Sequence, residues 1–95
     1  KFFRVRWSEA YYQLSPAERG QLMQKIEGIG KQFGVKSIIL CNTCWNDEQW
    51  LGFGLEEFPD METVHKHNLA LVEADWYRYI HSETMLGTSA QLPTG

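Results

Sequence analysis

Ninety-five residues, 43% of them hydrophobic and 22% charged, describe a chain that can fold as one domain and has no room for a second. A net charge of −3 without a run of Lys or Arg offers no electrostatic footprint for nucleic acid or an anionic membrane, and no stretch approaches the roughly 20 apolar residues of a bilayer span. Four Trp, four Tyr and five Phe exceed what a two-layer core needs, so some of them are expected to line a pocket or an interface.

Lys1 to Trp7 alternate as a strand would, with Phe3, Val5 and Trp7 on one face and Phe2, Arg4 and Arg6 on the other, rather than forming the apolar stretch of a secretory signal. A cytoplasmic location is expected. Ser15-Pro16-Ala17-Glu18 then carries a capping box with proline at the first helical position, which predicts a helix over residues 16 to 33. Its core stripe is Leu22, Ile26, Ile29 and Phe33, and Gly34 is placed to end it. Ser37 to Trp45 and Trp50 to Glu57 read as two strands of a hairpin around the polar turn Asn46-Asp47-Glu48. Pro59-Asp60 opens a second helix in which Met61, Val64, Asn68, Leu71 and Val72 recur at helical intervals, followed by the aromatic stretch Trp76-Tyr77-Arg78-Tyr79. Residues 80 to 88 return to strand composition, and Ser89 to Gly95 read as a flexible tail.

The order strand, helix, strand, strand, helix, strand is the split βαβ arrangement, which predicts an α+β, ferredoxin-like domain over residues 1–88. Right-handed crossovers give an antiparallel sheet in the order 4-1-3-2 with both helices on one face. The other face is then expected to be buried against a second copy of the chain, making a homodimer.

Cys41 and Cys44 form a Cys-x-x-Cys pair. A redox pair calls for a helix N-terminus and a structural zinc site for four ligands, whereas this pair follows Ile38-Ile39-Leu40 in a strand, so free thiols in a reducing compartment are expected, and no metal.

On the segments Ser15-Pro16-Ala17-Glu18-Arg19, Phe58-Pro59-Asp60-Met61-Glu62-Thr63-Val64, Trp76-Tyr77-Arg78-Tyr79 and Ser82-Glu83-Thr84-Met85-Leu86-Gly87, the chain resembles the dimeric α+β barrel superfamily over nearly its whole length. That resemblance implies a choice among cofactor-free oxygenation of phenolic substrates, lactone isomerisation, polyketide ring closure, haem degradation and accessory roles in pigment pathways. Fold alone does not choose among these activities.

Strand parity, taken with Leu51, Phe53 and Leu55 facing the helices, sends Trp50, Gly52, Gly54 and Glu56 to the inter-subunit face beside Arg4 and Arg6. A side-chain-free groove there, with arginines to hold an oxyanion and Trp50 to stack on a flat ring, is a candidate substrate site between the sheet and the dimer partner. The competing reading pairs Arg4 or Arg6 with Glu56 as an interface ion pair. Among the histidines, His81 beside Tyr79 and His65 near the start of the second helix are the candidate acid/base residues, while His67 between Lys66 and Asn68 reads as solvated. Tyr79 is a candidate wall of the pocket or part of an aromatic plug with Trp76 and Tyr77. Asn42, an amide in an apolar strand, is a further candidate ligand contact. The function expected is cofactor-independent acid/base chemistry on a small aromatic or polyketide-like metabolite in natural-product biosynthesis, with a non-catalytic binding or accessory protein of such a pathway as the alternative. Haem is disfavoured, because no histidine has a specific ligand context.

Overall fold

The computed structural model describes residues 1–92; Pro93 to Gly95, the end of the expected tail, lie outside the described residues. Eight elements follow one another: β1 (Phe2–Trp7), α1 (Glu9–Tyr12), α2 (Pro16–Gln32), β2 (Lys36–Asn42), β3 (Gly52–Glu57), α3 (Met61–Glu73), α4 (Trp76–Tyr79) and β4 (Ile80–Met85). The four strands form one antiparallel sheet in the order β2-β3-β1-β4, which is the expected order counted from the other edge. The architecture fits a ferredoxin-like fold.

Local chemistry explains most of the boundaries. Ser15 accepts the Glu18 amide at 3.2 Å while the Glu18 carboxylate takes the Ser15 amide at 2.9 Å, so α2 starts with a complete capping box and Pro16 in its first turn. The helix ends at Gly34, whose φ of 65° only glycine adopts without strain. Asp60 caps α3 by accepting the Thr63 amide at 2.7 Å. Between α3 and α4 the chain turns through Asp75 at φ 61°, which separates the two helices and swings the aromatic stretch back toward the sheet.

α1 is absent from the periodicity of the sequence and is held by long-range contacts. The Trp7 and Tyr11 rings stack at 3.8 Å, the Arg19 guanidinium lies 4.9 Å from the Tyr11 ring, and Trp76 meets Trp7 edge-on at 6.0 Å. The Ser8 amide donates to the Tyr79 carbonyl at 2.9 Å and its hydroxyl to the Arg78 carbonyl, which ties the end of β1 to α4. This stack closes one end of the domain.

The register corrects the facing of β3. Phe3 stands opposite Gly54 and Val5 opposite Gly52, so both glycines share the helix-covered face with Phe3, Val5 and Trp7. Phe53 and Leu55 instead share the open face with Phe2 and Arg4. The physical reason is steric: a Cβ on Gly54 would lie 2.5 Å from the Phe3 ring, and one on Gly52 2.7 Å from the Cys41 carbonyl oxygen. The glycine face is where the aromatic ring sits, and the apolar residues of β3 are turned outward.

That outward face is greasy. Leu55 is 41% exposed, Ile39 50% and Met85 70%, with Phe2 and Phe53 in contact at a 6.0 Å ring separation. On the edge strand β2, Leu40, 71% exposed, stands opposite Gly54 and so belongs to the helix side of the sheet rather than to this face. Beneath the helices the interior is loosely filled, and none of the described side chains is wholly sealed from solvent.

Candidate functional site

The looseness has a definite location. Between the sheet and the helical layer lies a cavity of about 840 Å³. Phe3, Val5 and Trp7 of β1 and Ile80 of β4 form its floor, while Met23 and Ile26 of α2, Leu71 of α3 and Trp76 of α4 close over them. Gly52 lies on the floor as a strip without side chain.

Arg6, Glu27, Lys31 and Cys41 stand among the residues lining this chiefly apolar space, and a second group of titratable side chains converges there: Lys1, Glu56, His67 and Tyr77. They come from four elements because register and helical pitch converge there. Lys1 precedes β1 in line with Glu56, the two backbones pairing at 2.7 and 2.8 Å, and Lys1 Nζ donates to Asn68 Oδ1 at 3.0 Å. His67 stands three residues after Val64 and four before Leu71, on the buried stripe of α3. Phe33 and Phe58 meet its ring edge-on at 6.1 and 5.3 Å.

Each group is displaced from its ordinary protonation behaviour. Burial, and secondarily the Lys1 ammonium, hold the His67 imidazole below the usual histidine value, with Asn68 opposing. Burial raises the Glu56 carboxyl against the pull of Lys1 and lowers the Lys1 ammonium against the pull of Glu56. Tyr77 is raised by burial and then by Glu56. His67 is 4% exposed, and its Nδ1 has no hydrogen-bond partner among the described residues. An apolar chamber with one orphaned imidazole nitrogen is suited to receive a small ligand that brings the missing partner.

The residues singled out from the sequence are distributed differently. Arg4 Nε donates to Glu83 across β1 and β4 at 3.0 Å, with a second contact from its terminal nitrogen, so its carboxylate partner is Glu83 and not Glu56. Trp50 is 7% exposed and already carries two guanidinium groups, Arg4 at 4.5 Å and Arg6 at 5.6 Å from the ring. It is fixed by Asp47, which accepts its amide at 2.9 Å, and by Thr43, which donates to its carbonyl at 2.9 Å. His81 stands opposite Arg6 and is exposed. His65 is exposed on the outer side of α3. Tyr79 is half-buried under the Arg78 guanidinium at 5.8 Å. Asn42 is exposed rather than buried in an apolar strand, and its side-chain oxygen accepts the Cys44 amide at 2.9 Å, which ends β2 three residues earlier than expected. His67, expected in solvent, is the buried one. Of the expected ligand contacts, Glu56 lines the cavity with it, since the register carries it to the helix side, and Arg6 and Asn42 are among the lining residues too.

Cys41 and Cys44 are both free thiols. Among the described residues, no three His, Cys, Asp or Glu side chains are grouped to hold a metal ion, and no helix is long and apolar enough to cross a membrane. Comparison with protein-family models, with curated proteins and with solved structures yields no match to this chain.

Proposed function

We propose that the protein is a homodimeric small-molecule protein of the dimeric α+β barrel type, cytoplasmic, which holds a compact aromatic metabolite beneath its helices and performs cofactor-independent acid/base chemistry on it. The observation that carries this reading is the cavity of about 840 Å³, which falls within the roughly 300–1,000 Å³ of ordinary ligand sites and is apolar apart from a few convergent polar groups. The displaced protonation of His67 and Glu56 in that space supports acid/base use. A second copy against the open sheet face is supported by the exposed row of Phe2, Ile39, Leu55 and Met85, since a face of that composition is costly to leave in water.

The test is a titration with nitrobenzene followed by tryptophan quenching, because Trp7 and Trp76 line the cavity. Saturable quenching that weakens about tenfold or more when the floor is filled by Val5→Phe supports the reading. Absence of saturable binding, or binding indifferent to Val5→Phe, contradicts it. The non-catalytic alternative, a carrier or accessory protein of a natural-product pathway, is distinguished by tight binding of the natural ligand without turnover.

A further inference from the structure

We propose that the cavity opens sideways, between α2 and the edge strand β2, and that its ligand is a compact apolar head whose neutral polar chain leaves through this opening into water. This rests on the cavity being the ligand site and adds to it the route of entry and the chemical class of the ligand. The two flanks of α2 place the opening. Ile29 and Phe33 turn toward α3, where they line a groove with Leu69 and Ala70. Met23, Ile26 and Gly30 recur at helical intervals along the other flank and line the cavity instead. The last position of that stripe carries no side chain, and a Cβ built on Gly30 meets no atom within 4 Å among the described residues. The wall of the cavity has a gap there.

The edge strand does not close it. Leu40 stands on the helix side of the sheet and lines the cavity while remaining strongly exposed, and Met23, which lines it from α2, is exposed as well. A side chain that both lines a cavity and meets water marks the place where the cavity ends. Leu22 is the buried residue of α2, and every residue of β2 except Cys41 is exposed. The far side is better sealed, with Ile80 of β4 and Leu71 of α3 both buried. The chemistry of the rim favours a chain without charge. Glu27 and Lys31 pair at 3.6 Å, so an ionic chain gains little from either, while Ser37 and Asn42 bring uncharged polar residues to the same edge. A second copy on the open face leaves this opening clear, because Leu40 and Gly54 lie on the opposite face of the sheet.

The experiment compares nitrobenzene with the same ring carrying a tetraethylene glycol chain at its 4-position. Both are titrated by tryptophan quenching into the wild type, into Gly30→Leu, whose side chain enters free space and replaces a helix-weakening glycine, and into Thr84→Leu, which alters the cavity lining at the β4 edge. The expected result is that the wild type binds the two probes within about threefold of each other, and that Gly30→Leu shifts the ratio of their affinities by about tenfold or more against the chained probe. Thr84→Leu should leave that ratio as it is in the wild type. If neither probe binds the wild type, the cavity reading itself fails. If nitrobenzene binds and the chained probe does not, the cavity stands and the opening is overturned. A ratio unmoved by Gly30→Leu, or moved by Thr84→Leu in its place, also overturns it. A measurement on the wild type alone gives the same decision: with a nitroxide at the free end of the chain, line broadening at the amides of Gly30, Lys31 and Leu40 supports the proposal, and broadening at His81 and Thr84 refutes it.

Discussion

Replacing Gly54 by alanine asks directly which way β3 faces. A Cβ built there lies 2.5 Å from Phe3 Cζ, 2.8 Å from Cε1 and 3.2 Å from the Ile39 carbonyl oxygen, whereas carbon atoms rest at roughly 3.5–4.0 Å. The ring must therefore retreat by about 1 Å toward the cavity, or β1 and β3 must separate. Overpacking of that kind costs about 1–3 kcal/mol, and each kcal/mol lowers Tm by roughly 4–8 °C in a domain of this size. Phe3→Leu removes the two clashing atoms and has its own cost of about 1 kcal/mol, so the double variant Gly54→Ala/Phe3→Leu is expected to be more stable than the sum of the singles by about 1 kcal/mol or more. Urea denaturation of the four proteins closes the cycle. Were the glycines on the open face, as alternation with Phe53 and Leu55 suggests, Gly54→Ala would meet nothing. A change below about 0.5 kcal/mol with no coupling to Phe3 would therefore refute the register-based account.

Other outcomes follow from the same coordinates. The depressed value of His67 means that the stability it confers is present above the unfolded value of about 6.5 and is lost as pH falls through the folded one. Urea midpoints measured from pH 7.5 downward should fall less steeply in His67→Phe than in the wild type; Glu56, whose value is raised, contributes with the opposite sign and is common to both proteins. Asp75 sits at φ 61°, so Asp75→Gly should be neutral or stabilising by up to about 1 kcal/mol while Asp75→Val costs about 1–2 kcal/mol, read from thermal melts. Leu55→Lys places a charge at the middle of the open face. Light scattering should give about twice the 11.1 kDa chain mass for the wild type and the single mass for the variant, and a wild-type monomer would contradict the dimer.

Much of this fold was legible because its signals are local. The capping box of Ser15 and Glu18, the glycine stop at Gly34 and the two-residue period of β1 each act within a few residues, and together they order the elements. What escaped depends on neighbours distant in sequence. α1 exists because Tyr11 stacks on Trp7 and Ser8 reaches Tyr79, for which Glu9–Tyr12 carries no periodic sign. The facing of β3 was inverted by the rule that apolar residues turn toward the helices, a rule that gives no answer when both faces of a sheet are apolar. The informative signal was Phe3 falling opposite a glycine, and that requires the register. His67 was readable in principle: Val64, His67 and Leu71 keep the 3, 4 spacing of the buried stripe, but the charge of Lys66 and the polarity of Asn68 drew the assignment to solvent. The partners of Arg4 and Asn42 lay out of reach, one set by the pairing of β1 with β4 and the other by a turn.

The central claim is that small molecules enter beneath the helices rather than settle on the open sheet, and chemical-shift mapping with 4-nitrophenol tests it most directly. Shifts concentrated at Val5, Leu71, Trp76 and Ile80, with Phe2, Leu55 and Met85 unmoved, are the predicted result. The reverse pattern, with the open face responding and the cavity silent, would contradict the account.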